Sequence, residues 1–376
     1  MKKILHLMTK LPDKYNGKFV EISSLHLSEY QHYYVALVSD GTDLAKYYPE
    51  QANILDLNSL GKISKWKKIY SLLSSKDFEL NVFHGLFYTG PFLAFIAFLF
   101  TFFKLGDKSL WMTWGGDIYY FQNRPKNFLG WINELFRKRV IRKFFAIASP
   151  LDEELKLISL NYKTSALHLN LLYPNPIGIE KSPEKKIEKG KPVKILAGNS
   201  ADPQNNHLEI FHRLENLKND VVVYCILSYA VVDLSYRDQV IKKGYDIFGE
   251  NFIPILDFMG PEKYKELLND IDISIFFHNR QQAMGNIYQF LYSGKCVFLR
   301  KDTLSSVFLK RIGFNIYDSN SLIHLNKTQL MKLIESEKKN TERYREIIEE
   351  YFDTPAVISV WENGLEKLFA YIKKSH

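Results

Sequence analysis

"DISIFFHNRQQAMGNIYQFLYSGKCVFL", residues 272–299, decides the fold. A short apolar run ends in a polar loop, a helical pattern closes at Ser293-Gly294-Lys295, and a second apolar run follows. Strand, loop, helix, strand is the grammar of a parallel sheet, because parallel neighbours need a crossover. The loop and the start of the helix carry Arg280, Gln281, Gln282, Gly285, Asn286 and Gln289. Gly285 admits a close backbone approach. The helix behind it offers N–H groups and a partial positive charge. Arg280 presents a planar fork suited to phosphate oxygens. The set is expected to hold a diphosphate; a plain strand-loop-helix with a surface Arg is the alternative.

Outward from this stretch the same alternation recurs. Upstream, "VKILAGNS", "DVVVYCILSY" and "FIPILDFM" read as strands separated by helical patterns. Nearer the N-terminus, "KKILHLM", "YYVALVSD", "FELNVFHGLF", "SLWMTWGGD" and "FFAIASP" read the same way. Between the two sets lies a Pro-, Lys- and Glu-rich segment without apolar period, which reads as a linker. The expected organisation is a first α/β domain at 1–172, a linker at 173–192, a second α/β domain at 193–350 and a C-terminal helix at 351–376 that packs back on the first domain. Two domains suit 376 residues at about 150 per domain. Ligands of such sheets sit at the carboxyl ends of the strands, so the site is expected in a cleft between the two domains.

Other strand ends add candidates. Gly198, Asn199 and Ser200 follow one strand, with Asn205 or Asn206 as a cap for the next helix and His207 in its first turn; they suit a nucleotide phosphate or sugar. Ser228 and Tyr229 follow another strand and read as a further contact or as a simple turn. In the first domain, His84 closes one strand and Trp114-Gly115-Gly116-Asp117 closes the next. Asp117 is a general base or acceptor-positioning group, since proton removal from a hydroxyl needs a nearby acid group; the alternative is a helix cap. His84 is a catalytic residue or a core one.

Composition narrows the class. Cys225 and Cys296 lie inside apolar runs and read as buried thiols. No secretory leader opens the chain, because the apolar run after Met1 breaks at His6 and Lys10. No His/Cys cluster has metal spacing, "DID" at 270–272 sits at the wrong end of its strand, and there is no Walker lysine motif or G-x-S-x-G. Hydrolase and ATPase readings lack support. The net charge is +8, and 124–143 holds seven basic residues against Glu134 alone. With Phe128, Leu129, Trp131, Ile132, Leu135 and Phe136 interspersed, 124–145 suits contact with anionic membrane lipids, or an ordinary amphipathic helix on the sheet. The apolar run 91–103 is shorter than the roughly 20 residues of a span; it is a buried helix or a monotopic contact. A soluble sugar-nucleotide enzyme such as an epimerase needs a Tyr-x-x-x-Lys pair or a G-x-G-x-x-G turn, and "LHLMTKLPDKYNG" (5–17) has neither. A basic nucleic-acid-binding protein is the non-enzymatic rival.

These motifs, in order over about 80–300, resemble the TDP-N-acetylfucosamine:lipid II N-acetylfucosaminyltransferases, the 4-alpha-L-fucosyltransferases of glycosyltransferase family 56. In the wider GT-B pattern acidic residues flank the loop glycine; here Gln282 and Gln289 stand near those positions. The resemblance implies a GT-B fold of two Rossmann-like domains with a C-terminal helical tail, and a metal-independent transfer without cofactor. It implies a dTDP-sugar held by Gly198, Asn199, Ser200, His207, Tyr229, Arg280, Gln281, Gln282 and Gly285. It implies an undecaprenyl-diphosphate-linked acceptor at the first domain near His84 and Asp117. The implied location is the cytoplasmic face of the inner membrane, peripherally attached, in enterobacterial common antigen or O-antigen synthesis, with no nucleic-acid partner. The donor is of the 4-acetamido-4,6-dideoxyhexose type, or a dTDP-fucose.

Overall fold

A computed structural model describes residues 1–39, 41, 43–175, 179, 181 and 190–375. The chain divides into two compact units: residues 1–176 with 352–376, and residues 177–351. The sequence-expected linker at 173–192 falls largely outside the described residues.

The first unit contains β1 (Lys2–Met8), α1 (Lys14–His26), β2 (Tyr30–Ala36), α2 (Leu44–Tyr47), β3 (Asn53–Asp56), α3 (Lys62–Ser74), β4 (Leu80–His84), α4 (Gly90–Phe102), β5 (Ser109–Met112), α5 (Tyr120–Asn123), α6 (Phe128–Ile141), β6 (Ala146–Ala148), α7 (Asp152–Tyr162) and β7 (Leu167–Leu169). Its sheet runs β3-β2-β1-β4-β5-β6-β7. Every pairing in it is parallel. The order reverses at β1, so the topological switch point lies between β1 and β4, where ligands of open parallel sheets bind. The central strands are buried on both faces, which is why they read as unbroken apolar runs.

The second unit contains β8 (Val193–Ala197), α8 (His207–Leu214), β9 (Val221–Ile226), α9 (Leu234–Phe248), β10 (Phe252–Ile255), α10 (Pro261–Asp270), β11 (Ile273–Phe276), α11 (Met284–Tyr292), β12 (Cys296–Leu299), α12 (Leu304–Arg311), β13 (Tyr317–Asp318), α13 (Lys327–Lys338) and α14 (Thr341–Phe352). Its sheet order is β10-β9-β8-β11-β12-β13, again parallel throughout. The switch point is between β8 and β11. Cys225 and Cys296 are buried free thiols in its strands.

The last helix, α15 (Thr354–Ser375), returns to the first unit. Val357, Trp361, Leu365, Leu368 and Phe369 join the core formed by Ile4, Met8, Phe19, Tyr34 and Leu171. The Trp361 indole donates to Leu172 O at 2.8 Å. Gly364 lets the helix approach closely: a Cβ there would stand 2.6 Å from a Leu171 methyl, which would have to shift.

Three edge strands, β3, β7 and β13, are absent from the sequence reading. They have two to four residues each, too short to show an alternation. The run 91–103 forms α4, with Leu93, Ile96, Ala97, Leu99 and Phe100 buried and Phe98, Phe102 and Phe103 exposed. Among the described residues no helix is long and apolar enough to cross a membrane.

Candidate active site

At the switch point of the second unit three loops meet. The loop after β8 turns at Gly198, whose φ of +70° favours glycine, and a Cβ there would lie 2.6 Å from His207 Nε2 and 2.7 Å from Asn205 Oδ1. Asn205, fully buried, organises this loop. Its Oδ1 accepts from Asn199 N at 2.8 Å and from His278 Nε2 at 2.8 Å. Its Nδ2 donates to Ser200 Oγ and to Asp202 O, both at 3.0 Å. Asn206 reaches across to donate to Phe277 O at 2.8 Å, tying the loop to the end of β11. The loop after β9 joins through Ala201 N, which donates to Tyr229 O at 2.8 Å. Tyr229 is half-exposed, and Ser228 precedes it at the same edge.

The loop after β11 brings Arg280 beside Asp202, with guanidinium and carboxylate 3.8 Å apart and both largely buried. Arg280 Nη1 also donates to Gln281 O at 3.0 Å. Gln282 Nε2 faces Asn199 Oδ1 at 3.4 Å. Ala283, left-handed at φ +60°, opens α11, and no side chain caps the helix. Gly285 lies in the first turn of α11. The first N–H groups of a helix have no intrahelical acceptor, so they and Arg280 converge as donors at one edge. Asn286 and Gln289 turn elsewhere: Asn286 donates to Tyr264 OH at 2.7 Å, and Gln289 lies 3.4 Å from Ser293 Oγ.

Two expectations are corrected. Neither Asn205 nor Asn206 caps α8 with its side chain. His207 is not at the loop surface: it is fully buried under Gly198 with Nδ1 3.1 Å from Tyr236 OH, and burial pulls its pKa down to about 3. It supports the loop from below. Sequence reasoning missed Asp202, and took Asn205 for a helix cap where it organises the loop. It also missed Arg300, which follows β12, lies over the Phe277 ring at 5.3 Å and donates to Asn279 Oδ1 at 2.5 Å.

In the first unit, the ends of β4 and β5 form an aromatic platform. Trp114 packs against Tyr173 at 4.8 Å and Tyr15 at 5.5 Å, with Phe87 beyond. Gly85 and Gly115 have φ near +80° and +74°, which bends both loops sharply. Asp117 is 2% exposed. Its carboxylate accepts from Leu86 N, Trp111 Nε1 and Trp114 N, each at 2.8 Å. A carboxylate enclosed by three donors holds loops together and is poorly placed to take a proton. It also does not cap α5, which begins at Tyr120 with no side-chain cap. Gly116 completes the turn by donating to Trp114 O.

His84 is likewise interior. Four side chains form a hydrogen-bonded series: Tyr173 OH to His84 Nδ1, His84 Nε2 to His6 Nδ1 at 2.9 Å, and His6 Nε2 to His32 Nδ1 at 2.9 Å. His32 Nε2 then meets Leu27 O at 3.2 Å. A carbonyl only accepts, so His32 carries its proton on Nε2. With neutral rings the remaining protons follow in one sense: His6 and His84 are Nε2–H and Tyr173 donates to His84. Burial keeps the rings neutral, lowering His6 well below its usual value, His32 to about 4 and His84 to about 3. His84 therefore belongs to a buried polar ladder across β2, β1 and β4.

Among the described residues no group of three or more His, Cys, Asp or Glu side chains is placed to hold a metal ion. What the fold does supply is two parallel α/β units, each with a switch point, the second lined by the Arg280 guanidinium and the N–H groups that open α11. That is the build of a GT-B glycosyltransferase. Crystal structures agree in fold: a glycosyltransferase from Rickettsia africae superposes with a TM-score of 0.66 at 14% identity, covering 100% of this chain and 99% of its own. Anabaena HepE in complex with UDP and glucose gives 0.70 at 11%, covering 98% and 100%. WaaG, a glycosyltransferase of lipopolysaccharide biosynthesis, gives 0.64 at 12%, covering 97% and 99%. The chain belongs to glycosyl transferase group 56, the 4-alpha-L-fucosyltransferases, whose family model matches residues 3–338. It is a hexosyltransferase.

Proposed function

We propose that the protein transfers a 4-acetamido-4,6-dideoxyhexose or a related deoxy sugar from a dTDP-sugar to an undecaprenyl-diphosphate-linked saccharide. The work is done at the cytoplasmic face of the inner membrane, in assembly of a surface polysaccharide such as enterobacterial common antigen or O-antigen. The observation that carries the donor half is the convergence of Arg280, the opening of α11 and the Gly198 loop at the β8/β11 switch point. As the bond from the sugar C1 to the β-phosphate oxygen breaks, negative charge grows on the leaving diphosphate. Donors fixed beforehand at that place stabilise the transition state more than the ground state. Arg280 and the α11 N–H groups supply them, and no divalent cation is needed in this reading. Tyr229, Ser228, Asn199, Gln281 and Gln282 set the nucleotide and the sugar.

The acceptor half rests on the platform of the first unit. Trp114 presents a broad face to a saccharide, Gly115 and Gly116 let the chain come close, and Asp117 holds this loop to Leu86. In this role Asp117 and His84 position the platform; the acceptor oxygen bonds to C1 as the C1–phosphate bond breaks, and the hydroxyl proton leaves to the departing β-phosphate oxygen or to water. Membrane attachment rests on the exposed aromatic and basic residues of 124–145.

Calorimetry with dTDP, UDP and GDP tests the donor site. Wild type should bind dTDP selectively, and Arg280→Ala should weaken it by about ten- to a hundredfold, the worth of a charge-assisted contact. Absence of binding to all three sinks the donor assignment. Unchanged activity in excess chelator is expected, and its loss rejects metal independence.

A further inference from the structure

The helix α6 has two faces with different chemistry. Outward it shows Phe128, Leu129, Trp131 and Leu135, which are 72%, 68%, 52% and 47% exposed. Single exposed apolar side chains are ordinary, but a contiguous aromatic stripe marks a contact surface. Thr101 of the neighbouring α4 accepts from Arg139 at 3.1 Å, and α4 has exposed aromatic residues of its own in Phe98 and Phe102. The charge is one-sided. Arg137 and Glu134 are both buried, so the basic count of the surface is corrected to Arg124, Lys126, Lys138, Arg139, Arg142 and Lys143, with no exposed acid between them. Aromatic side chains ringed by cations match the interface of an anionic bilayer, where rings settle at headgroup depth and each cation gains from the surface potential.

Inward, the same helix grips the acceptor platform. Arg137, 1% exposed, donates to Leu86 O and to Asp117 O, the backbone of both platform loops. Its guanidinium also lies 5.6 Å from the Trp111 ring and 5.3 Å from that of Tyr120. Four residues earlier, Asn133 accepts from Gly90 N at 2.7 Å, holding the start of α4 just after the first loop. One helix thus carries the lipid-facing stripe on one side and the clamps on the Leu86 and Asp117 loops on the other. A helix is stiff over this length, so a force or a restriction on its outer face is felt by both loops.

We infer that docking of the α4–α6 face on an anionic bilayer orders the acceptor platform through Arg137 and Asn133. The enzyme is then assembled for its acceptor only where the acceptor is anchored. This inference rests on the reading of the first unit as the acceptor side, and it makes Arg137 and Asn133 positioning residues.

Hydrogen exchange of the full chain tests it without knowledge of the acceptor. The probes are vesicles of phosphatidylglycerol with phosphatidylethanolamine, and vesicles of phosphatidylcholine alone. Anionic vesicles should bind the protein and slow exchange at least threefold at 128–141 and also at 85–90 and 114–118. Phe128→Ser with Trp131→Ser should lower vesicle binding at least tenfold while leaving exchange protection at β1, β4 and β5 unchanged, which shows the first unit folded. Asn133→Ala and Arg137→Lys should keep vesicle binding and lose the slowing at 85–90 and 114–118. Binding with no change in those two loops overturns the coupling. No binding to anionic vesicles overturns the surface, and capture of RNA by the same face in their place would mark a nucleic-acid site. Failure of dTDP to bind would instead count against the dTDP-donor reading and leaves these outcomes legible.

Discussion

Asn205 Oδ1 receives the Nε2 proton of His278 at 2.8 Å, joining the loop after β8 to the loop after β11 across the switch point of the second unit. The same oxygen accepts from Asn199 N, so one amide sets the geometry of both donor loops. Asn205→Ala leaves two buried donors without an acceptor. We expect a loss of about 2–4 kcal/mol in unfolding free energy and weaker dTDP binding. Urea denaturation and calorimetry read the two effects; a fully stable variant with normal affinity rejects the role.

Gly198→Ala should be harmful for two reasons at once. The backbone stands at φ +70°, and the new methyl would meet His207 and Asn205 at 2.6 and 2.7 Å. The strain alone is worth about 1–3 kcal/mol. Thermal unfolding should fall accordingly, and a midpoint within a degree of wild type would contradict the packing.

Asp202 stands 3.8 Å from the guanidinium that the proposed donor site offers to the diphosphate. Its Oδ1 also accepts from Gln204 N at 2.9 Å, a bond an amide oxygen keeps. Asp202→Asn should therefore preserve the loop and free the guanidinium. Affinity for dTDP is expected to rise by about three- to tenfold, or roughly 0.7–1.4 kcal/mol. A fall in affinity, in calorimetry at fixed ionic strength, would show that the carboxylate positions Arg280 more than it competes.

Acid should unfold this protein early. Burial lowers His32 to about 4 and His84, His207 and His278 to about 3, with Arg280 adding to the effect on His278. In the unfolded chain these rings titrate near 6.5. Below that pH the unfolded state takes protons that the native state refuses, so stability falls as pH falls from about 6.5 towards 4. Each ring contributes up to about 1.4 kcal/mol per pH unit. Denaturant midpoints between pH 7.5 and 4.5 should decline steeply; a flat profile would mean that the rings are hydrated.

Trp361→Ala removes a large buried side chain and its bond to Leu172 O. The expected cost is about 3–5 kcal/mol. It should fall on the first unit: exchange protection should drop at β1, β4 and α1, while dTDP affinity at the second unit stays near wild type.

The alternation of apolar runs with helical patterns announced both parallel sheets, and the strand-end loops announced the Gly198–Arg280 edge. What stayed hidden depends on contacts distant in sequence. His84 and Asp117 look like catalytic residues on a strand end, yet His84 is spent on His6 and Tyr173, and Asp117 on Leu86, Trp111 and Trp114. A basic cluster gives no sign that Arg137 alone points inward, although its spacing of three from Glu134 and seven from Gly130, both buried, was a usable clue. Short edge strands carry too few residues to show a period. Asn205 was legible as polar and near a helix start, which suggested a cap; its actual partners lie on another strand.

The return of α15 to the first sheet has a consequence for synthesis. Chains emerge from the ribosome N-terminus first, and domains commonly fold in that order. Here the N-terminal sheet lacks Trp361, Leu365, Leu368 and Phe369 until the codons beyond the second unit are read. The unit begun first is therefore completed only after the second unit has been made. A stop codon introduced just before Trp361 would leave the second unit entire and the first with a bare apolar face, a ready target for quality control.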